Sequence, residues 1–420
     1  SDSPIAREAH LIAAAKQQGA TQDQAGTLAK AMVFNRQRLG KKQLLIDISE
    51  VAQHDLRTGI QRVVRSILAE LLNDPPADFD ICPVYLDRQQ VYRHARQFML
   101  QQYDIDNASW TDDPVNIKSG DHYLGIDLHP TATSDAAHIY KNWRAHGVRT
   151  TFVLYDLLPV QHPQWFPPIV LPEFTRWLHT IAAHGDQIIA ISQTVANDMQ
   201  TWLNQQQIPQ AQQPKVSWFH LGADIRASLP TGGLPEDANQ VLDAIGACPS
   251  FLMVATVEPR KGHTQALAAF DALWARGVQA NLVIVGKKGW MVDALAERIL
   301  AHPALGKHLF WLQGISDEYL EAIYPRCTAL LAASEGEGFG LPIIEAAQHQ
   351  LQVIARDIPV FREVGGEGVS YFSADRPEQL ADHLQAWLAE PEATRPQVSR
   401  VRWQTWRDSA RQIDSSLQSC

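Results

Sequence analysis

Three observations predict a two-domain α/β protein with parallel sheets. At 420 residues the chain exceeds one ordinary core. Short apolar runs of β character alternate with helical segments along most of its length. Those runs are nearly continuous in apolar residues, as strands buried on both faces are.

The elements follow in order. Residues 1–40 are rich in Ala and Gln with helical spacing (Leu11, Ile12, Ala15; Leu28, Met32, Val33), which predicts an N-terminal helical extension. "QLLIDIS" (Gln43–Ser49) then reads as a strand. It leads through a loop into "RTGIQRVVRSILAELL", where Ile60, Val63, Val64, Ile67, Leu68 and Leu71 repeat at helical spacing. Strand, glycine turn and helix open an α/β unit. "HYLGIDL", "TTFVLYDLLP" and "QIIAIS" continue the series, and "VSWFHLGAD" closes the first half near Asp224. The first domain is expected over 41–226.

Residues 227–247 include "SLPTGGLPEDAN", rich in Pro, Gly and polar residues, and are expected to be a linker. A second domain is expected over 248–400, with strands "FLMVATV", "ANLVIVG", "HLFWLQG", "CTALLAAS" and "LQVIAR". A C-terminal helix is expected over 401–420, anchored by Trp403 and Trp406. In such sheets ligands bind outside the carboxyl ends of the strands.

Composition narrows the function. The chain is 45% hydrophobic and 20% charged, which is globular usage. A formal charge of −10 argues against nucleic acid, which selects clustered Lys and Arg. No apolar run approaches the ~18–20 residues that span a bilayer, and the N-terminal residues lack a signal-peptide pattern. The four cysteines have no C-x-x-C spacing and the sixteen histidines form no ligand set, so no metal and no other cofactor is expected. A cytoplasmic location fits, compatible with the inner face of a membrane. The chain begins at Ser1 without Met, so a trimmed chain or a piece of a longer multidomain protein is expected.

The strongest motif is "SEGEGFGLPIIEA". It places Glu337 in the loop after the strand "CTALLAAS" and Glu345 in the first turn of the helix that Pro342 opens. Gly338 and Gly340 would let backbone N–H groups approach a ligand, and the helix N-terminus favours an anion such as phosphate. Glu345 suits a vicinal diol, and Glu337 suits other hydroxyls. A capped helix with both acids solvated is the bland alternative, but ordinary N-cap chemistry calls for neither the loop acid nor both glycines.

"TVEPRKGH" sets Arg260 and Lys261 beyond the strand "FLMVATV", where a guanidinium and an ammonium suit a diphosphate. "RTGIQR" brings Gly59 to a helix mouth. In "LYDLLPVQHPQWF", Asp156 at a strand end is either a helix cap or a base, and His162 is more often a surface residue than a catalyst.

Together these stretches resemble glycosyltransferase family 4, retaining nucleotide-sugar enzymes of the GT-B fold. The resemblance covers about residues 43–415 and rests on the E-x7-E pair in "EGFGLPIIE". "EPRKG", "TGIQRVVR", "VIVGKKGW" and "GISDEYLEAIYPRC" match as well. It is similar in particular to bacterial mannosyl- and rhamnosyltransferases of O-antigen and other surface polysaccharides.

The resemblance implies two Rossmann-like domains facing a central cleft, with no metal and with a nucleotide-diphosphate sugar as co-substrate. Arg260 and Lys261 would bind the diphosphate, Glu345 the ribose and Glu337 the transferred sugar. Gly59, Gly338, Phe339, Gly340 and Leu341 would line the donor site, and Gly314 and Ser316 would face the base. Asp156 would orient the acceptor or support the oxocarbenium-like sugar. Arg62, Tyr155 and His162 would lie toward a glycan or lipid-linked glycan acceptor, with peripheral membrane association compatible. Mannose from GDP-mannose is the expected sugar, with a dTDP- or UDP-sugar as the alternative. A glycoside hydrolase or an inert sugar-nucleotide-binding module are readings of other classes.

Two departures stand out. Tyr155 replaces the His that many relatives carry before the Asp, and Ala255-Thr256 replaces a glycine-arginine pair.

Overall fold

The computed structural model describes residues 41–54, 59–102, 111–223 and 233–418, with Gly19, Thr21 and Gln24 before them. The helical extension expected over 1–40 otherwise lies outside the described residues.

Seven strands form the first sheet: β1 (Lys42–Asp47), β2 (Phe79–Leu86), β3 (Tyr92–His94), β4 (His122–Gly125), β5 (Arg149–Leu154), β6 (Gln187–Ala190) and β7 (Lys215–Trp218). Their order is β3-β2-β1-β4-β5-β6-β7. β1 pairs in parallel with β2 and β4, and β4 with β5. β3 is antiparallel to β2, so this edge departs from an all-parallel sheet.

The second sheet holds β8 (Ser250–Val254), β9 (Asn281–Val285), β10 (Leu309–Leu312), β11 (Ala329–Ala332), β12 (Gln352–Arg356) and β13 (Ser370–Phe372). It is parallel throughout, in the order β10-β9-β8-β11-β12-β13. The α/β fold with two sheets is the one expected. β2, β3 and β13 were not. β2 carries Asp80 and Pro83, which lower its strand character, and the other two are three residues long.

The helices that bear on the site are α1 (Gly59–Asn73), α2 (Gln193–Gln205), α3 (Ala238–Gly246), α4 (His263–Ala275), α5 (Leu341–Gln348), α6 (Pro359–Gly365) and α7 (Trp406–Gln418). α3 lies inside the stretch expected to be a linker. Ala238, Leu242 and Ile245 recur at i, i+4 and i+7 and are buried, so an apolar face outweighs the polar, Pro- and Gly-rich composition just before it. Of the two expected C-terminal anchors, Trp406 is fully buried at the start of α7, whereas Trp403 is 46% exposed and anchors nothing.

The chain divides into two compact units. One comprises 1–153, 176–188 and 417–420; the other comprises 154–175 and 189–416. Asp156, Ser192 and His220 therefore group with the second half of the sequence. One face of that unit's sheet carries a core in which Phe251, Ile284 and Leu331 pack with Phe270, Leu273 and Trp387. Each such side chain contributes about 1.5–3 kcal/mol on burial.

The first unit is organised around Asp47, the last residue of β1 and 5% exposed. Its Oδ2 accepts from the hydroxyls of Tyr123 at 2.6 Å and Tyr92 at 2.8 Å, and its Oδ1 from the Ser49 amide at 2.9 Å. Burial, reinforced by the Asp47 charge, pushes both phenols well above their usual range. Removing this acceptor strands buried donors. Asp47→Ala is expected to destabilise the protein by about 2–4 kcal/mol, read from urea denaturation, with Asp47→Asn recovering part of the loss.

Candidate active site

The second sheet's strand order reverses between β8 and β11, the first and fourth strands of its series, which lie side by side. Such a switch point opens a crevice at the carboxyl ends of the strands. The turn after β8 carries Glu258, Arg260 and Lys261; the loop after β11 carries Ser334 to Gly340.

The adjacency brings the two motifs into contact. Lys261 Nζ lies 2.5 Å from Glu337 Oε1, and Arg260 Nη1 lies 3.1 Å from Glu337 Oε2. Arg260 Nη1 also donates to the Gly336 carbonyl at 3.0 Å, and Ser334 Oγ donates to Glu337 Oε1 at 2.8 Å. On its other side, Arg260 Nε is 3.2 Å from Glu258 Oε2. The Glu335 amide donates to the Arg260 carbonyl at 2.8 Å and ties the loops through their backbones.

Asp156 faces the same guanidinium electrostatically. Its Oδ1 accepts from the Leu158 amide at 3.0 Å, in the turn that leads into the short helix Leu158–Gln161, whose N-cap is Leu157. That turn holds its charge beside Arg260.

The charges are strongly perturbed. Burial by itself would raise Glu337, but Lys261 and Arg260 overcome it and hold the carboxyl at about 2. Burial pushes Asp156 and Glu258 up, against the pull of Arg260. Burial opposes the charge of Arg260, yet Glu337, Asp156 and Glu258 raise its pKa. Opposing shifts concentrated in one place mark sites of chemistry.

Gly338 and Gly340 serve the chain's own packing. A Cβ on Gly338 would come within 2.0 Å of the Tyr155 carbonyl oxygen. Gly340 has φ +106°, and a Cβ there would meet the Phe361 ring at 2.9 Å. As the N-cap of α5, Gly340 offers no side-chain cap to the first turn. A pocket lined by Lys261, Ser334, Glu337, Gly340 and Pro342 opens at this helix mouth.

Glu345 lies just beyond the first turn of α5, which contains no acid, so its expected place there is corrected by one residue. It is 3% exposed, and its Oε2 accepts the Tyr324 hydroxyl at 3.1 Å. Phe339 is buried and Leu341 half-buried. Ser316 caps the helix Asp317–Ile323, accepting from the Tyr319 amide at 3.1 Å, and Gly314 precedes it at φ +64°. Tyr155 is buried at the end of β5, and the His162 ring stacks on Trp165 at 4.0 Å. Gly59 and Arg62 lie in the first turn of α1, in the other unit.

A supporting constellation was invisible in the sequence. Glu363 on α6 accepts from the amides of Gln193 and Thr194 at 2.7 and 2.8 Å, where α2 begins. His220 Nε2 lies 2.7 Å from the same carboxylate. Burial would raise Glu363, but His220, Thr194 and those amides bring it down to about 2. Ser192, the N-cap of α2, donates to the Gly338 carbonyl at 2.8 Å, and the His220 ring meets Phe339 edge-on at 5.3 Å. The partners are 143 to 170 positions apart, beyond any local signal. Glu258, by contrast, stands inside the "TVEPRKGH" motif, whose reading rested on Arg260 and Lys261 alone.

Residues 240–402 match the family described as glycosyl transferases group 1. This region is a glycosyl transferases group 1 domain. It contains both halves of the charge cluster, Glu258 to Lys261 and Ser334 to Gly340. The chain is 44% identical over 386 residues to the serotype-specific mannosyltransferase WbdA of Escherichia coli, covering 91% of this chain and 46% of that protein. It spans about half the length of such relatives.

Among solved structures it is similar to Anabaena HepE in complex with UDP and glucose, at a TM-score of 0.61 and 15% identity. That match covers 90% of this chain and all of the other. The sucrose-phosphate synthase of Thermosynechococcus elongatus matches at 0.61 and 17% identity, covering 90% and 99%. These likenesses agree with the GT-B fold expected for the chain that carries the glycosyl transferases group 1 domain.

The Glu337 carboxyl holds its proton less tightly in the folded chain than in the unfolded one, where 4.5 is ordinary. Its contribution to stability is therefore complete above about pH 4.5 and lost as pH falls toward about 2. The stability difference between wild type and Glu337→Gln is expected to shrink across that window in urea titrations at successive pH values. Glu363 shares the window, so the difference is the readout, and a constant difference would contradict the coupling.

Proposed function

We propose that the protein is a retaining, metal-independent glycosyltransferase that moves mannose from GDP-mannose to a glycan acceptor in O-antigen synthesis. The observation that carries this is the pocket where Lys261, Glu337 and the start of α5 meet at the β8/β11 switch point. A diphosphate needs a cation and favours a helix N-terminus, and this pocket sets Lys261 beside the start of α5. The choice of mannose and of O-antigen rests on the similarity to WbdA. The family domain and the GT-B fold support transfer over hydrolysis.

In this reading the bond from the sugar's C1 to the diphosphate oxygen breaks. The acceptor hydroxyl forms the new bond on the same face, and its proton passes to the departing phosphate. Lys261, Arg260 and the amides at the start of α5 stabilise the charge gathering on the diphosphate, usually the largest catalytic contribution. Glu337 holds the two cations before the donor arrives and meets the transferred sugar. Asp156 supports the positive sugar or orients the acceptor. Glu345, oriented by Tyr324, takes the ribose, and Phe339 and Leu341 border the donor. Gly314 and Ser316 border the base, and Tyr155 and His162 belong to the acceptor side.

Among the described residues no group of three or more His, Cys, Asp and Glu side chains could hold a metal, and the cations answer the diphosphate in its place. Among the same residues no helix is long and apolar enough to cross a membrane, and we place the reaction in the cytoplasm.

Incubation with GDP-mannose and a mannose-terminated oligosaccharide should yield an elongated product with retained anomeric configuration. Inversion, or transfer only from a dTDP- or UDP-sugar, contradicts the assignment. Lys261→Ala and Arg260→Ala are each expected to lower kcat/KM by about 10²–10³-fold with the fold intact by circular dichroism. Activity should survive EDTA; abolition with rescue by Mg²⁺ or Mn²⁺ would reveal a metal step.

The two glutamates should separate. Glu345→Gln is expected to weaken GDP binding about tenfold in calorimetry, the loss of one charge-assisted hydrogen bond. Glu337→Gln should leave GDP binding no weaker, because it removes a competitor for Lys261, while kcat falls.

A further inference from the structure

Two arms of the second unit carry aromatic side chains that the fold leaves half-exposed. One arm is the segment after β5, where His162 stacks on Trp165 at 4.0 Å and 20°. The other is the loop after β9, where Trp290 stacks with Phe166 at 5.9 Å and 28°. Trp290 Nε1 donates to the Trp165 carbonyl at 2.9 Å and locks the arms together. His162, Trp165, Phe166 and Trp290 are all neither buried nor fully exposed. Stacked rings from two loops that meet in this way form one contiguous aromatic platform, and contiguous apolar surface marks places where ligands bind.

The arms are rigid. Pro163, Pro167 and Pro168 flank the first and limit its freedom. The second is tied to the turn that leads into Glu258, with the Val257 amide donating to the Lys287 carbonyl and the Gly289 amide to the Val257 carbonyl, each at 2.9 Å. Met291, beside Trp290, holds φ +56°, a left-handed conformation that a non-glycine side chain adopts at a cost. A preorganised platform loses little freedom when it binds.

The platform is continuous with the charge cluster. A Cβ on Gly336 would come within 2.8 Å of Trp165 Cζ3, so Trp165 touches the loop one residue before Glu337. The same stretch of that loop meets the cations, with Arg260 donating to the Gly336 carbonyl at 3.0 Å and Lys261 reaching Glu337, while the start of α5 stands at its far end. A ring seated on the platform would therefore sit beside Glu337 and away from the helix mouth.

We propose that His162, Trp165, Phe166 and Trp290 form a stacking subsite for a pyranose ring of the acceptor glycan. The inference rests on the glycosyl-transfer reading given above. A pyranose presents an apolar C–H face that covers an aromatic ring and keeps its hydroxyls at the rim. The Trp290 indole N–H is spent on the Trp165 carbonyl, so this ring offers its apolar face and no donor. That suits the C–H face of a sugar better than the edge of a nucleobase.

The test compares wild type, Trp290→Ala and Trp290→Phe with GDP-mannose and a mannose-terminated oligosaccharide, alongside calorimetry with GDP. Trp290→Ala is expected to raise the acceptor KM about tenfold, the scale of one aromatic contact with its buried area. Its kcat should stay near that of wild type, with GDP affinity unchanged. Trp290→Phe, which keeps a ring, should recover most of the loss. An unchanged acceptor KM in Trp290→Ala overturns the subsite. So does a fall in GDP affinity, which would make the platform a base clamp, or a fall in kcat alone, which would make it a prop for the Glu337 loop. If wild type binds GDP but transfers to no mannose-terminated oligosaccharide, the mannosyl-transfer reading fails first and takes the subsite with it.

Discussion

Lys261 reaches Glu337 only because β8 and β11 lie side by side, although 76 positions separate the two residues. That adjacency is a property of the strand order. The chain lays β8, β9 and β10 outward in one direction, then returns to the other side of β8 with β11. The crevice at the reversal is where two loops can approach without a strand between them. Pocket, ion pair and helix mouth all follow from that return.

Within the crevice the electrostatics are nearly self-contained. Asp156, Glu258 and Glu337 surround Arg260, with Lys261 paired to Glu337. Buried charges persist only when paired, and breaking such a pair costs far more than a surface salt bridge contributes. Glu337 thus fills the place of an anion while no donor is bound. A diphosphate would have to compete with a carboxylate already in contact with both cations, which favours a multiply charged ligand over a single carboxylate or chloride.

The loop that carries Glu337 is shaped by close packing rather than by looseness. Gly338 lies against the Tyr155 carbonyl and Gly340 against Phe361, and neither position has room for a Cβ. From outside, Ser192 holds the Gly338 carbonyl while Glu363 and His220 cap the neighbouring helix start and brace Phe339. A carboxylate held to within a fraction of an ångström needs such a second layer.

Much of this was already determined by local sequence. Near-continuous apolar runs placed most of the strands, helical spacing placed α1, and Pro342 marked the start of α5, because burial leaves a local imprint. The residues of the charge cluster announced themselves as motifs, since Arg-Lys and E-x7-E are short-range patterns. What the tertiary structure decided is which motifs meet. The Lys261–Glu337 contact, the place of Asp156 beside Arg260 and the burial of Glu345, which accepts the Tyr324 hydroxyl, depend on strand order and packing, which no window of the sequence encodes. The reason given for the glycines changed as well, from ligand approach to contact with Tyr155 and Phe361. The His220–Glu363 brace lay wholly beyond local reading, because its partners are scattered residues whose only common property is the place to which the chain returns them.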